Sequence, residues 1–402
     1  MRYPKTSVPA PSERHPIRFR SIASTYKWAS VFMEAAADKY GSLWLAKRLR
    51  RWRWSLSTAF SGVGCAESAA LSLQAAGGQF LLEGNHSTRR SKNVVLKSGC
   101  EIDKECQLVL KNTFGHCNYP DVTCVDFGKN KGSFCTTHQR HCPQARDDPT
   151  RPVCICFSPM GTQLKESHPQ FESHESYYKK YSMVSDVMVV ENVVEYGDEI
   201  AKKRLGENWE VRSISFDPRN LGLGVARARL YMLCWNKLKV VWDAPYDLAE
   251  FLDALASQRV LTAIHYFWQK RPCSALSDAD ERNLAEYRTL TKKKKFPDLS
   301  QYARNGRGRG EVSDGALMTL TTNCQKIWSE ERKRFMEPTE LLSAQVVPTT
   351  DLQASMCQAP KLNLSGVKPA SICKMAGNGM SVPCVGFMLL AAICSLKPIP
   401  VQ

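Results

Sequence analysis

Along this chain, apolar residues gather in short blocks that end in glycine-rich or polar turns and then give way to helical spacing. The segment Leu56 to Gly78, "LSTAFSGVGCAESAALSLQAAGG", reads as an apolar strand, a turn carrying Gly62-x-Gly64, and an Ala/Leu helix. A second unit of this kind begins near Gly99, "GCEIDKECQLVLKNTFG", with Glu101 where the strand ends. In "VSDVMVVENVVEYG", Val184 to Gly197, the unbroken β-branched run is that of an inner parallel strand, and it ends in the polar pair Glu191-Asn192. "RPVCICFSPMG", Arg151 to Gly161, likewise reads as an inner strand reaching a loop. It carries two thiols, Cys154 and Cys156, and taken alone it does not separate a nucleophile from a pair of ordinary buried cysteines. Residues 34–54 have helical spacing and end in the basic and aromatic run "KRLRRWRW", which either meets phosphates or caps the domain. The longest apolar run, "VGFMLLAAICSL" from Val385 to Leu396, is too short for a bilayer and reads as a buried helix, so no membrane role follows. No internal repeat is present. Strands alternating with helices predict an α/β fold with a mostly parallel sheet, whose ligands meet the carboxyl ends of its strands.

Composition narrows the function. At 402 residues the chain can bury a sizeable core, and 43% hydrophobic with 9% aromatic content excludes disorder as its main state. Its net charge of +16 favours a polyanionic partner such as nucleic acid over an acidic small molecule, the plain alternative being a basic solubility face. Sixteen cysteines spread along a long chain that shows no signal peptide at its start fit a reduced, intracellular compartment better than a disulfide scaffold. Residues 1–33 hold one acidic residue, Glu13, among several Arg and Ser, and read as a basic arm or a transit peptide.

Two further stretches carry candidate chemistry. Between His116 and Gln144, Cys135, His138, His141 and Cys142, with Cys117 or Cys124, offer soft ligands for zinc. Their spacing matches no standard finger, so the expectation is a Cys/His-rich surface loop without a metal. The stretch "TKKKKFPDLSQYARNGRGRG" supplies Lys292, Lys293, Lys294, Lys295, Arg304, Arg307 and Arg309, interleaved with Phe296 and Tyr302, for phosphate contacts along a groove. Read blandly, it is a solvated loop.

The order of the motifs resembles the cytosine-C5 DNA methyltransferases. "FSGVGCAE" (Phe60 to Glu67) is similar to the family's cofactor-binding glycine loop, "CEID" to its ribose-binding carboxylate, and "VDF" to its adenine-binding aspartate. "PVCICFSPMG" is similar to the Pro-Cys-Gln loop, "ENV" to Glu-Asn-Val, and "GVARARLYML" to the Gln-x-Arg-x-Arg strand. "RFMEPTELLSAQVVP" and "AGNGMSVP" resemble the late Arg…Glu…Gln…Pro and Gly-Asn motifs. The set spans about residues 56–395 in the family's order.

The resemblance implies a Rossmann-like S-adenosylmethionine-dependent fold with a small target-recognition domain. Its division of the chain is 1–54 as a basic extension, 55–240 catalytic, 241–330 recognition, and 331–402 returning to the catalytic domain. It implies S-adenosylmethionine as cofactor, S-adenosylhomocysteine as product, and DNA as partner in the nucleus, with RNA as the alternative substrate. Phe60, Gly62, Gly64, Glu101, Ile102, Asp126, Phe127, Asn378 and Met380 would hold the cofactor. Cys154, Glu191, Arg227 and Arg229 would be catalytic. C5 of cytosine is a poor nucleophile, so a thiolate must add at C6, a carboxylate must serve N3, an arginine must hold O2, and the base must be flipped out of the duplex.

Placing Phe157, Ser158 and Gly161 on the family's Phe, Ser and Gly makes Cys154 the nucleophile. A second register sets Pro159 on the family's Pro and Met160 on the nucleophile, leaving no thiol. Val153, Ile155, Cys65 and Val225 stand where the family has Pro, Gln, Gly and Gln, and these departures leave a catalytically silent homologue open.

Overall fold

The structure is a computed structural model that describes residues 15–51, 53–84, 94–125, 133–142, 152–157, 171–290, 295–305 and 309–400. The first nine strands, in chain order, are β1 (Trp54–Ala59), β2 (Val94–Cys100), β3 (Cys117–Tyr119), β4 (Ser133–Cys135), β5 (Arg140–Cys142), β6 (Pro152–Phe157), β7 (Val187–Asn192), β8 (Trp209–Phe216) and β9 (Arg229–Asn236). Seven of them form one sheet in the order β3-β2-β1-β6-β7-β9-β8. Pairing is parallel from β3 to β7, and β9 enters antiparallel to both β7 and β8. The order reverses between β1 and β6, the switch point at which the strand ends of an open α/β sheet leave a crevice.

Each predicted strand–helix unit is present. The first turn delivers the helix Cys65–Glu83, and β2 delivers Lys104–Thr113, capped by Asp103, whose carboxylate accepts the N–H groups of Glu105 and Cys106 at 3.0 and 3.2 Å. The apolar run near the end of the chain becomes the helix Val382–Ser395, buried along its whole length, as its all-round hydrophobicity requires. The stretch Pro369–Ser395 is long and apolar enough to cross a membrane, but 94% of its most apolar window is buried within the protein.

Two segments outside the expected catalytic span contribute to the main core. Within residues 15–51, Trp28, Phe32, Met33, Leu45 and Leu49 belong to the main core. Trp28 lies so close to the last helix that a Cβ on Gly386 would meet its ring at 2.0 Å. Within "KRLRRWRW", Arg48 is buried and bonds the carboxylate of Asp243 at 2.7 Å, so it caps the domain and does not meet phosphate. The segment after β9 is shared between two cores. Leu248, Phe251, Leu252, Leu255 and Tyr266 pack in the main core, whereas Leu284, Tyr287, Leu299, Ala303 and Trp328 make a small core of their own. Amphipathic spacing alone does not reveal against which core a helix buries its apolar face.

Behind that small core, Arg334 and Glu340 form a bidentate pair, both bonds 2.8 Å, with the side chains 2% and 0% exposed. Glu340→Ala is expected to cost about 3–5 kcal/mol in urea unfolding, because it strands a buried guanidinium, while the paired apolar replacement Arg334→Met with Glu340→Leu should cost far less.

Candidate cofactor and base site

At the carboxyl ends of β1, β2 and β3 lies a cleft of about 370 Å³, lined among others by Phe60, Gly62, Glu101, Ile102, Asp121 and Asn378. Glu101 follows β2 directly, and its two oxygens accept the Gly62 N–H at 2.7 Å and the Asp103 N–H at 3.0 Å. Burial pushes this carboxyl above the usual range, and the two backbone donors pull it back only in part. Gly64 takes the left-handed conformation, φ +81°, and a Cβ there would lie 2.3 Å from the Phe114 ring, so the turn into the helix demands glycine. Phe60 is also left-handed, φ 55°, a conformation uncommon for a residue with a side chain.

Across the cleft, Lys374 bonds Asp103 at 2.9 Å and joins the C-terminal segment to the turn after β2. Burial opposes ionisation of Asp103, but Lys374 and the backbone donors outweigh it and hold its carboxyl below the usual range. Ile102 is 72% exposed at the cleft, an apolar surface left open where a flat ring can lie on it.

At the far side of the switch point, Glu191, next to last in β7, is 6% exposed, and the Arg229 Nε lies 3.2 Å from its Oε1. The pair forms because antiparallel β9 begins at Arg229, beside the end of β7, with Glu191 in register with Tyr231.

No family model matches this sequence, and no curated protein is significantly similar to it. Among solved structures, the chain is similar to the crystal structure of the S. pombe Dnmt2 methyltransferase, at 13% identity and a TM-score of 0.51, over 85% of this chain and 98% of that one. It is also similar to a putative DNA modification methyltransferase encoded within a prophage, from E. coli, at 13% identity and a TM-score of 0.53, over 84% of this chain and 97% of the other. This is a methyltransferase fold.

The methyltransferase fold brings together Phe60, Gly62, Glu101, Ile102 and Asn378, as expected from the sequence. Gly64 supports the loop from its cap position, and Met380 is buried behind the cleft at 3% exposure and does not line it. Asp126 and Phe127 lie outside the described residues. Asp121 and Lys374 line the cleft and belong to no motif, and they meet Asp103, the last residue of "CEID", only through the turns after β2 and β3 and through the C-terminal return.

Arg227 is engaged with the backbone of two late segments. Its guanidinium donates to the carbonyls of Leu320 and Gly377 at 3.3 and 3.2 Å, and it is 4% exposed. Burial, and then the neighbouring charge of Arg229, lower its pKa to about 10. It braces β9 against the two late segments, and Arg229 alone of the two pairs with Glu191. The departures at Cys65 and Val225 also find places. The buried Cys65 thiol, pushed up to about 12 by burial, sits behind the turn at Gly379 and Met380, and the fully buried Val225 bridges to Leu317.

Cys154 and Glu191 stand at different levels of the sheet. In β6, Cys154 pairs with Ser57 and Met188, while Phe157 is the residue level with Glu191. Three residues of strand separate the two levels, roughly 10 Å. Position 160 follows the end of the strand, in a stretch outside the described residues.

Of the basic residues, Arg304 is exposed, its guanidinium 5.4 Å from the Tyr302 ring centroid, and Lys295 is exposed. Arg309 is half-buried and donates to the Thr319 carbonyl at 2.8 Å, which makes it a strut of the small domain. Lys292, Lys293, Lys294 and Arg307 lie outside the described residues.

Proposed function

We propose that this chain binds S-adenosylmethionine in the Glu101 cleft and methylates C5 of a flipped cytosine in nucleic acid, with DNA as the leading substrate and RNA as the alternative. The observation that carries the reading is the Glu191–Arg229 pair at the strand tips, beyond the switch point from the cleft. A carboxyl group serves N3 as charge enters the ring, and a guanidinium holds O2, so the two groups together fit one edge of cytosine. The Glu101 oxygens suit a ribose diol, the open face of Ile102 suits adenine, and the bound cofactor supplies an electrophilic methyl group. Transfer of a tritiated methyl group from the cofactor to DNA or RNA tests the reading, and absence of transfer to both would sink it.

A second reading, a silent nucleic-acid-binding homologue, is favoured by one observation: the pairing of β6 sets Cys154 within the sheet and not at its edge. It predicts cofactor and nucleic-acid binding without methyl transfer.

Neutralising Lys292, Lys293, Lys294 and Lys295 together is expected to weaken binding to unrelated sequences alike and to flatten the salt dependence by about 0.9 for each phosphate no longer neutralised. Titrations at several salt concentrations check this, and a weakening confined to one sequence would make the lysines base readers.

A further inference from the structure

Away from the cleft, the two three-residue strands β4 and β5 make a hairpin too small to hold itself together. It lies against β3, with the Thr136 N–H donating to the Asn118 carbonyl at 2.8 Å. Where the hairpin meets the strand, Cys117, Cys135, His138 and Cys142 converge, with their ligand atoms all within 4.8 Å of one another. The His138 Nδ1 lies 3.5, 3.5 and 3.4 Å from the Sγ atoms of Cys117, Cys135 and Cys142.

One imidazole nitrogen carries at most one proton, so it cannot donate to three sulfurs at once. Equal spacing around a central point is instead the geometry of ligands sharing a cation. Sulfur and nitrogen ligands at ordinary zinc bond lengths, set tetrahedrally, lie about 3.6 Å apart. All three cysteines are free thiols, and Cys135 and Cys142 are buried. The Asn118 N–H points at the Cys135 sulfur at 3.3 Å, a donor aimed at an acceptor, as a thiolate requires.

We propose that Cys117, Cys135, His138 and Cys142 bind a structural zinc ion that clamps the hairpin to β3. Three sulfurs and one nitrogen complete a tetrahedron and leave no open position, so the site is structural and not catalytic. Binding releases the thiol protons and therefore strengthens as pH rises. The clamp bears on the strand that runs directly into Pro120, Asp121 and Val122 on the cleft wall. This departs from the expectation of a metal-free loop. The spacing fits no finger because the first ligand lies on a sheet strand 21 residues before the histidine. His141, a candidate from the sequence, is exposed and rests edge-on against Phe134, outside the cluster.

The full chain, purified under reducing conditions without chelator, should contain about one zinc per molecule by elemental analysis. Cobalt exchange should give the visible ligand-field bands of a tetrahedral site together with sulfur-to-cobalt charge transfer. Cys135→Ser and Cys142→Ser should lose the metal, and His141→Ala should keep it. His138→Cys should also keep it, with charge transfer about one-third stronger because four thiolates replace three. A wild-type protein that holds no zinc and takes up neither zinc nor cobalt would overturn the proposal, as would full zinc content in the Cys135→Ser and Cys142→Ser proteins. The wild-type measurement decides the matter even where a cysteine variant fails to fold.

Discussion

Glu101→Ala is expected to weaken S-adenosylmethionine binding by roughly a hundredfold, read by calorimetry. The carboxylate offers two acceptors to a ribose diol, and hydrogen bonds to a charged group contribute about 1.5–3 kcal/mol each. The same substitution leaves the N–H groups of Gly62 and Asp103 without their acceptor, so the glycine turn loses its anchor as well. Glu101→Gln should fall between, since an amide keeps one acceptor. The sign of the pH dependence follows from burial, which raises this carboxyl. Cofactor affinity should therefore begin to fall on acidification above the ordinary glutamate range, as protonation removes an acceptor. For stability the sign is opposite: with the folded pKa above the unfolded one, the native state binds the extra proton, so this group's contribution declines as pH rises through that window. Equal affinity in wild type and Glu101→Ala would remove Glu101 from the site.

If the chain is the enzyme proposed, cytosine fluorinated at C5 is expected to accept a methyl group and then to stay attached to the protein through denaturation. The thiolate adds at C6, C5 takes the methyl group, and no proton remains at C5 whose removal would expel the sulfur. Cys154→Ser should abolish the complex, because serine is a far weaker nucleophile without a dedicated base. Cys156→Ser should leave it intact, and Glu191→Gln should slow its formation roughly a hundredfold or more while cofactor binding persists. The pairing of β6 makes the opposing case. A wild-type protein that binds cofactor and DNA yet traps nothing would agree with Cys154 lying level with Met188, and would replace the enzyme by the silent homologue. A complex that survives Cys154→Ser and disappears with Cys156→Ser would move the nucleophile by two residues.

What is legible in the sequence is what lies close together along the chain. The glycine turn, the strand that it ends, the carboxylate after β2 and the inner strand ending at Glu191 all follow from period, turn chemistry and a short apolar run. Glu101 and Gly62 are 39 residues apart, yet both are legible because each sits at a strand end. The tertiary structure decided everything that depends on register and return. It assigned Arg229 to Glu191 and Arg227 to the carbonyls of Leu320 and Gly377, although the two arginines look alike in the sequence. It set Cys154 level with Ser57 and Met188 in the sheet. It also gathered Cys117 to the hairpin thiols. By itself the sequence determined the α/β class, the Gly62–Glu101 half of the cleft and the glutamate at the tip of β7, because local patterns fix where strands begin and end. Only the tertiary structure decided which arginine pairs with Glu191 and which cysteines meet around His138, because strand register and long-range closure depend on packing between segments that carry no mark of each other.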